Sequence, residues 1–182
     1  AESLGSYVGT RHTGTFGKLA TLSFNGNKVI TTGGGGMIIT DDEALAKRAK
    51  HLTTTAKVPH PYEFVHDEVG FNYRLTNLQA ALGVAQLEQL DGFIELKRAT
   101  ARAYTEGLRR LPGVEPCTEQ PWASSNFWMY SILLDPARWG RARAVIDKAA
   151  AAGIQCRPLF YPLHRQPPFR DRCQAYRVEV AD

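Results

Sequence analysis

"LSFNGNKVITTGGGGMIIT", residues 22–40, decides how this chain is read. Four consecutive glycines, Gly33 to Gly36, follow one apolar run and lead into another, and a single lysine, Lys28, stands just before them. The apolar and β-branched runs predict short strands over residues 20–24, 29–32 and 36–40. Glycine tolerates positive φ and lets a backbone or a ligand come close, so three roles compete for the four. A P-loop, G-x-x-x-x-G-K-S/T, needs its lysine after the glycines, and Lys28 precedes them. A dinucleotide fingerprint, G-x-G-x-x-G, opens a helix, whereas these glycines lead into "MIIT". Taken alone, the glycines best fit a turn from one strand into the next.

Lys28 shifts the weight toward chemistry. A lysine in a turn is ordinarily a solvated charge, but Ser23 lies five residues earlier at the end of an apolar strand. A serine and a lysine so placed can serve one ligand, the hydroxyl binding a phosphate and the amine meeting an aldehyde. Free lysine has a pKa of about 10.4, so a lysine nucleophile must be desolvated or condensed to act near neutrality. Pyridoxal phosphate supplies such an aldehyde and acts as an electron sink.

Composition limits the other possibilities. The chain has 182 residues, 43% hydrophobic and 22% charged, the balance of a soluble globular protein with one ordinary domain or two small ones. Its formal net charge is +4 without a block of like charges, which suits an anionic small substrate and argues against nucleic acid as a partner. Cys117, Cys156 and Cys173 form no C-x-x-C pair, and the histidines show no H-x-x-x-H pattern. Neither a disulfide framework nor a metal site is expected, and a reducing, cytoplasmic compartment is. No apolar run is long enough to span a membrane. The sequence begins "AESLGS" without a methionine and is expected to be a piece of a longer protein.

Further along, "TDDEALAKRAKHL" predicts a helix with Asp41 or Asp42 as N-cap. Residues 53–68 have no period and predict an irregular loop. Residues 76–90 predict a strong helix with one stripe of Leu75, Leu78, Leu82 and Ala85 and another of Ala80, Val84 and Leu87, covered on more than one side. After Asp91-Gly92, "FIELKRATARAYTEGLRRL" predicts a second helix ending at Pro112-Gly113. A short strand at 114–117, a longer one at "NFWMYSILL", a helix at "ARWGRARAVIDKAAAAG" and a strand at "IQCRPLFY" complete a small α/β lobe, and "RVEVAD" looks like the start of a helix. The boundary between lobes is expected at Asp91-Gly92, giving residues 1–91 and 92–182.

"SFNGNKVITTGGGGMIIT", "GFNYRLTNLQAALGVAQLEQL" and "YPLHRQP", in that order, resemble the DegT/DnrJ/StrS family of sugar-nucleotide aminotransferases. The resemblance covers nearly the whole chain. It implies an α/β protein with the fold-type I, aspartate aminotransferase-like architecture: the C-terminal portion of the large domain followed by a truncated small C-terminal domain. It implies pyridoxal 5'-phosphate as cofactor, with Lys28 carrying the Schiff base and Ser23 contacting the phosphate. Asn72 would reach the phosphate of the neighbouring subunit's cofactor, so a homodimer is implied. Arg74 would approach the sugar nucleotide, its planar donor fork suited to anionic groups, and His164 would sit near the substrate. On the residues alone, Asn72 can equally be a turn residue, Arg74 a solvated charge and His164 structural.

The implied reaction transfers an amino group, expected from glutamate, to a ketone on a nucleotide-linked deoxysugar, for amino sugars of surface polysaccharides. Two departures stand out. Many members carry glutamate where this chain has Gly34, and the family is considerably longer. The 182-residue piece by itself is therefore expected to have little or no transaminase activity. Alternatives are a pyridoxamine-dependent sugar-nucleotide dehydratase, against which Lys28 argues because histidine replaces the lysine there, and a non-catalytic binding or regulatory protein on the same fold.

Overall fold

The structure, a computed structural model, describes residues 1–170. The expected helix at "RVEVAD" and Cys173 lie outside the described residues. In chain order the first elements are β1 (Tyr7–Val8), β2 (Arg11–His12), β3 (Ala20–Ser23), β4 (Gly36–Ile39), α1 (Glu43–Thr53), α2 (Asn77–Leu87) and α3 (Leu90–Leu108). Then come β5 (Val114–Pro116), β6 (Ala123–Ser124), β7 (Ile132–Leu134), α4 (Pro136–Trp139), α5 (Ala142–Ala151) and a 3₁₀ turn at Leu163–Arg165.

The chain parts into two compact units. The first holds Ala1–Arg110 and Cys117–Tyr130; the second holds Leu111–Pro116 and the chain from Ser131 onward. The division expected at residue 91 falls just inside α3, which runs unbroken from Leu90 to Leu108. Asp91 and Gly92 do not interrupt it, because Asp91 sits in its first turn, where an acid complements the helix dipole.

In the first unit, β1 pairs antiparallel with both β2 and β6, and β3 pairs antiparallel with β4 in the register Ala20↔Ile39 to Ser23↔Gly36. Two helices start on side-chain caps. Asp42 Oδ1 accepts from the amides of Ala44 at 2.9 Å and Leu45 at 3.0 Å. Thr76 and Gln79 form a reciprocal capping box at the start of α2, satisfying two otherwise orphaned amides. The second unit pairs β5 with β7, and α4 stops at Gly140, whose φ of 70° splits the single helix expected from sequence.

Three expected strands are absent or shortened. Residues 29–32 do not form a ladder: the Thr32 amide donates to Phe24 O at 3.0 Å and the Thr31 amide to Gln86 Oε1 at 3.1 Å. Only Ile132–Leu134 of "NFWMYSILL" is a strand. Ahead of it, Ser125 Oγ accepts from the Phe127 amide at 3.0 Å and Asn126 Oδ1 from the Trp128 amide at 2.9 Å, side-chain bonds that compete with a sheet and make a turn. "IQCRPLFY" carries no strand assignment, and all eight of its residues are exposed.

The core is thin. Among the described residues only Phe24, Ile30, Ala56 and Ala101 are buried apolar side chains. The chain exposes 13973 Å², against about 8,700 Å² expected for a self-contained 20.2 kDa monomer.

Candidate active site

The opening stretch folds as a hairpin that continues past its strands, with the Phe24 amide donating to Gly35 O at 3.0 Å. Phe24 and Ile30 are buried, pinning the base of the loop, and a turn closed by the Lys28 amide on Asn25 O at 3.0 Å puts Lys28 at the tip. The glycines form the returning limb. Gly33 and Gly35 have φ of 80° and 94°, the left-handed region that side chains avoid. At Gly36 a Cβ would lie 2.5 Å from Leu22 O. The turn reading of these glycines describes what they do here, and Lys28 rides on the rigid frame they make.

The loop is fastened from α2. Gln79 Nε2 donates to Gly34 O at 3.4 Å, and Gln86 Oε1 accepts from the Thr31 amide. Between them, a Cβ on Gly83 would lie 3.1 Å from Thr32 Cγ2. Gln79, Gly83 and Gln86 follow i, i+4, i+7 spacing, so one polar, small-residue face of α2 packs on the lysine loop. The sequence singled out the apolar stripes on either side of this face; Leu78, Leu82, Val84 and Leu87 of those stripes are exposed. The two glutamines were missed because amides inside an apolar pattern give no periodic signal; their seven-residue spacing was the available clue.

The Lys28 side chain is only 13% exposed. Its Nζ lies 3.9 Å from the centre of the Trp128 ring and 3.4 Å from Glu2 Oε1. Trp128 in turn donates from Nε1 to Asn27 O at 2.5 Å, holding the indole against the turn. Next to the Ser125 backbone Arg98 and Glu119 form a two-bond ion pair, with Nη2–Oε1 at 2.6 Å and Nη1–Oε2 at 2.9 Å. Arg98 also donates to Ser125 O at 2.7 Å, and Glu119 accepts from the Ser125 amide at 2.8 Å. The Arg98 hydrogen bonds hold the Glu119 carboxyl below the usual carboxylate range, against the opposing effect of desolvation and with help from the Ser125 amide. Arg98 is raised by the same pairing.

Ser23 ends β3 on this hairpin, its Oγ accepting weakly from the Asn25 amide at 3.4 Å. Asn72 and Arg74 lie on an extended segment beside the end of α1: Asn72 bridges to Thr54, the Phe71 amide donates to Leu52 O at 2.7 Å, and the Tyr73 amide to Thr53 O at 2.9 Å. The rings of Phe71 and Tyr73 stack at 5.2 Å, which leaves Asn72 and Arg74 on the opposite face by strand alternation. Both are exposed. Arg74 lines a cleft of ≈ 940 Å³ with Leu22, Gly35 and Gly36 of the hairpin and Lys50 of α1. His164 belongs to the second unit, in the 3₁₀ turn.

An ionic cluster also forms that sequence spacing did not signal, because its members come from two segments. His51 Nε2 and Asp67 Oδ1 lie 2.7 Å apart, and Arg48 pairs with Glu68, whose carboxyl that pairing lowers. These pairs fasten the irregular loop to α1, and Gly70 lets the loop close, since a Cβ there would lie 2.4 Å from Thr55 C. No helix among the described residues is long and apolar enough to cross a membrane.

Comparison with known proteins agrees with this architecture. The chain is 39% identical over 178 residues to GDP-perosamine synthase of Escherichia coli O157:H7, covering 98% of this chain and 48% of that protein. The Helicobacter pylori aminotransferase PseC, involved in pseudoaminic acid biosynthesis, shares the fold with a TM-score of 0.88 at 22% identity, over 100% of this chain and 49% of that one. The structure of DesI with its TDP-sugar product matches with a TM-score of 0.84 at 27% identity, over 97% and 45%. The chain thus spans about half the length of these relatives, and its mixed α/β fold is that of fold-type I aminotransferases. The family model matches residues 1–182, and the chain belongs to the DegT/DnrJ/EryC1/StrS aminotransferase family.

Proposed function

We propose that the whole protein of which this chain is part is a pyridoxal phosphate-dependent aminotransferase acting on a nucleotide-linked keto-deoxysugar, with glutamate as amino donor, in amino-sugar and surface polysaccharide biosynthesis. The observation that carries this reading is the covered Lys28 amine at the tip of a hairpin that also bears Ser23. An amine shielded from water and a hydroxyl on the same frame fit a cofactor with an aldehyde and a phosphate. When bound, that cofactor supplies the electron sink. Lys28 Nζ would hold it at its aldehyde carbon, and as a free amine would take up and return a proton as a general base. Ser23 Oγ would hold the phosphate.

Asn72 and Arg74, exposed on one face, serve the site of a second copy, Asn72 at the cofactor phosphate and Arg74 at the anionic nucleotide. His164 contacts the sugar. The exposed apolar residues of α2 support a homodimer. Cys117 and Cys156, both free and exposed, suit a reducing cytoplasm. The test is to load the whole protein with pyridoxal phosphate, reduce with borohydride and map the tagged peptide. The tag is expected on Lys28; a tag on any other lysine defeats the assignment.

A further inference from the structure

Lys28 is held on two sides, and both holders trace to one buried residue. The Trp128 ring face, 3.9 Å from Nζ, attracts a cation through its quadrupole, and the Glu2 carboxylate at 3.4 Å adds charge. Asn126, 4% exposed, aligns the two. Its Nδ2 donates to the carbonyls of Glu2 and Leu4, each at 2.9 Å, and its Oδ1 accepts from the Trp128 amide at 2.9 Å. Its own amide donates to Ser6 Oγ at 2.9 Å. Between Asn126 and Trp128, Phe127 takes a φ of 44°, uncommon for an aromatic residue, and so redirects the chain toward the Lys28 turn.

An amine that bonds to a cofactor and leaves it in every turnover needs a defined place while free, because a four-carbon side chain otherwise samples many rotamers. We propose that the Trp128 ring face and the Glu2 carboxylate form the holding site of the free Lys28 amine, and that Asn126 is the positioning residue that aligns both. This rests on the aminotransferase reading, which requires the amine to be freed. Trp128 and Glu2 act through Lys28 and are likewise positioning residues.

The test uses the whole protein stripped of cofactor and treated with trinitrobenzenesulfonate, with labelling rates at each lysine read by peptide mass spectrometry. Lys47, whose side chain is 75% exposed, is the internal reference. Lys28 is expected to label slowly relative to Lys47. Trp128→Leu should raise that ratio by about fivefold, Asn126→Ala should raise it in the same direction, and Trp128→Phe should raise it less than Trp128→Leu. Glu2→Gln alters a half-exposed side chain with little risk to folding, and it should raise the ratio by about twofold. Circular dichroism and melting identify any variant that does not fold, in which case Glu2→Gln and the native ratio decide. A native Lys28 that labels as fast as Lys47, or a ratio unmoved in every folded variant, overturns the holding site. The borohydride map separates the two readings: a tag elsewhere defeats the aminotransferase assignment, whereas a tag on Lys28 with an unprotected free amine defeats the holding site alone.

Discussion

The lysine hairpin and the outer faces of α2 lie in one compact unit and are finished to different degrees. Within the hairpin loop, the amides of Phe24, Lys28, Thr31 and Thr32 and the carbonyls of Asn27 and Gly34 all find partners inside the chain. Phe24 and Ile30 are buried beneath it. On α2 the inner face of Gln79, Gly83 and Gln86 is equally occupied, but Leu78 is 86% exposed, and Val84 and Leu87 are more than half exposed. The hairpin can hold Lys28 with this chain's residues, whereas the flanks of α2 have apolar surface that only another surface can cover. The difference separates what this chain finishes by itself from what it leaves apolar and open.

The largest effect should come from testing that open surface as the proposed dimer contact. Leu78→Glu in the whole protein puts a charge where an apolar contact is expected to be buried. Leu78 is exposed in this chain; if the proposed second copy covers it, dimer affinity should drop by on the order of a thousandfold, the cost of burying an unpaired carboxylate, while circular dichroism and melting check that the protomer still folds. Light scattering across a dilution series reads the mass directly. A variant that remains dimeric at nanomolar concentration removes α2 from the interface.

Gly36→Ala attacks the finished region. Its Cβ would stand 2.5 Å from the Leu22 carbonyl oxygen, backbone that cannot swing aside, within the β3–β4 ladder itself. A loss of about 3 kcal/mol is expected by thermal or denaturant unfolding, the range of overpacking in a rigid place. A loss below about 1 kcal/mol means that the hairpin can open.

How far these regions were legible depends on what kind of signal each carries. β3, β4, α1 and α2 were readable because their causes are local: apolar runs, an Asp42 cap and a helical apolar period from Thr76; the Thr76–Gln79 capping box went unread, as did the role of Gln79. Ser23 and Lys28 were singled out by resemblance and by their spacing at a strand end, and the structure puts both on one hairpin. Trp128 and Glu2 were not found, because they lie 100 and 26 residues from Lys28 and no spacing rule links them. The strand expected over "NFWMYSILL" forms only at Ile132–Leu134, and its first six residues depart from it for a related reason. Its aromatics suit a sheet, but Ser125 and Asn126 turn their side chains onto nearby amides and override that propensity.

A smaller effect probes the support under Trp128. The folded state holds the Glu119 carboxyl below its ordinary value of 4.5 through the Arg98 hydrogen bonds. A depressed folded-state pKa means stability that is present above the unfolded-state value and lost as pH falls through the folded one. Glu119→Gln should therefore cost about 1–2 kcal/mol near pH 7, where it leaves Arg98 without its charge partner. That gap should shrink below pH 4.5 as the native carboxyl is protonated. Melting temperatures of both forms across acid pH check this, and a gap independent of pH contradicts the ion pair.

The smallest effect is expected at Gly34, inside the run of four glycines. Gly33 and Gly35 need glycine for their left-handed φ, and Gly36 needs it for room. Gly34 needs it for neither reason: its φ is not in the left-handed region, and a Cβ would meet nothing nearer than Gln79 Nε2 at 3.9 Å. The position where many family members carry glutamate is thus the one of the four where both backbone conformation and space admit a side chain. Gly34→Glu should change unfolding free energy by no more than about 0.5 kcal/mol. If Gly34→Glu destabilises the protein as much as Gly36→Ala does, the loop is packed more tightly than its geometry shows, and the glycine is there for the fold. If stability holds while substrate preference or turnover shifts, the glycine is there for the site.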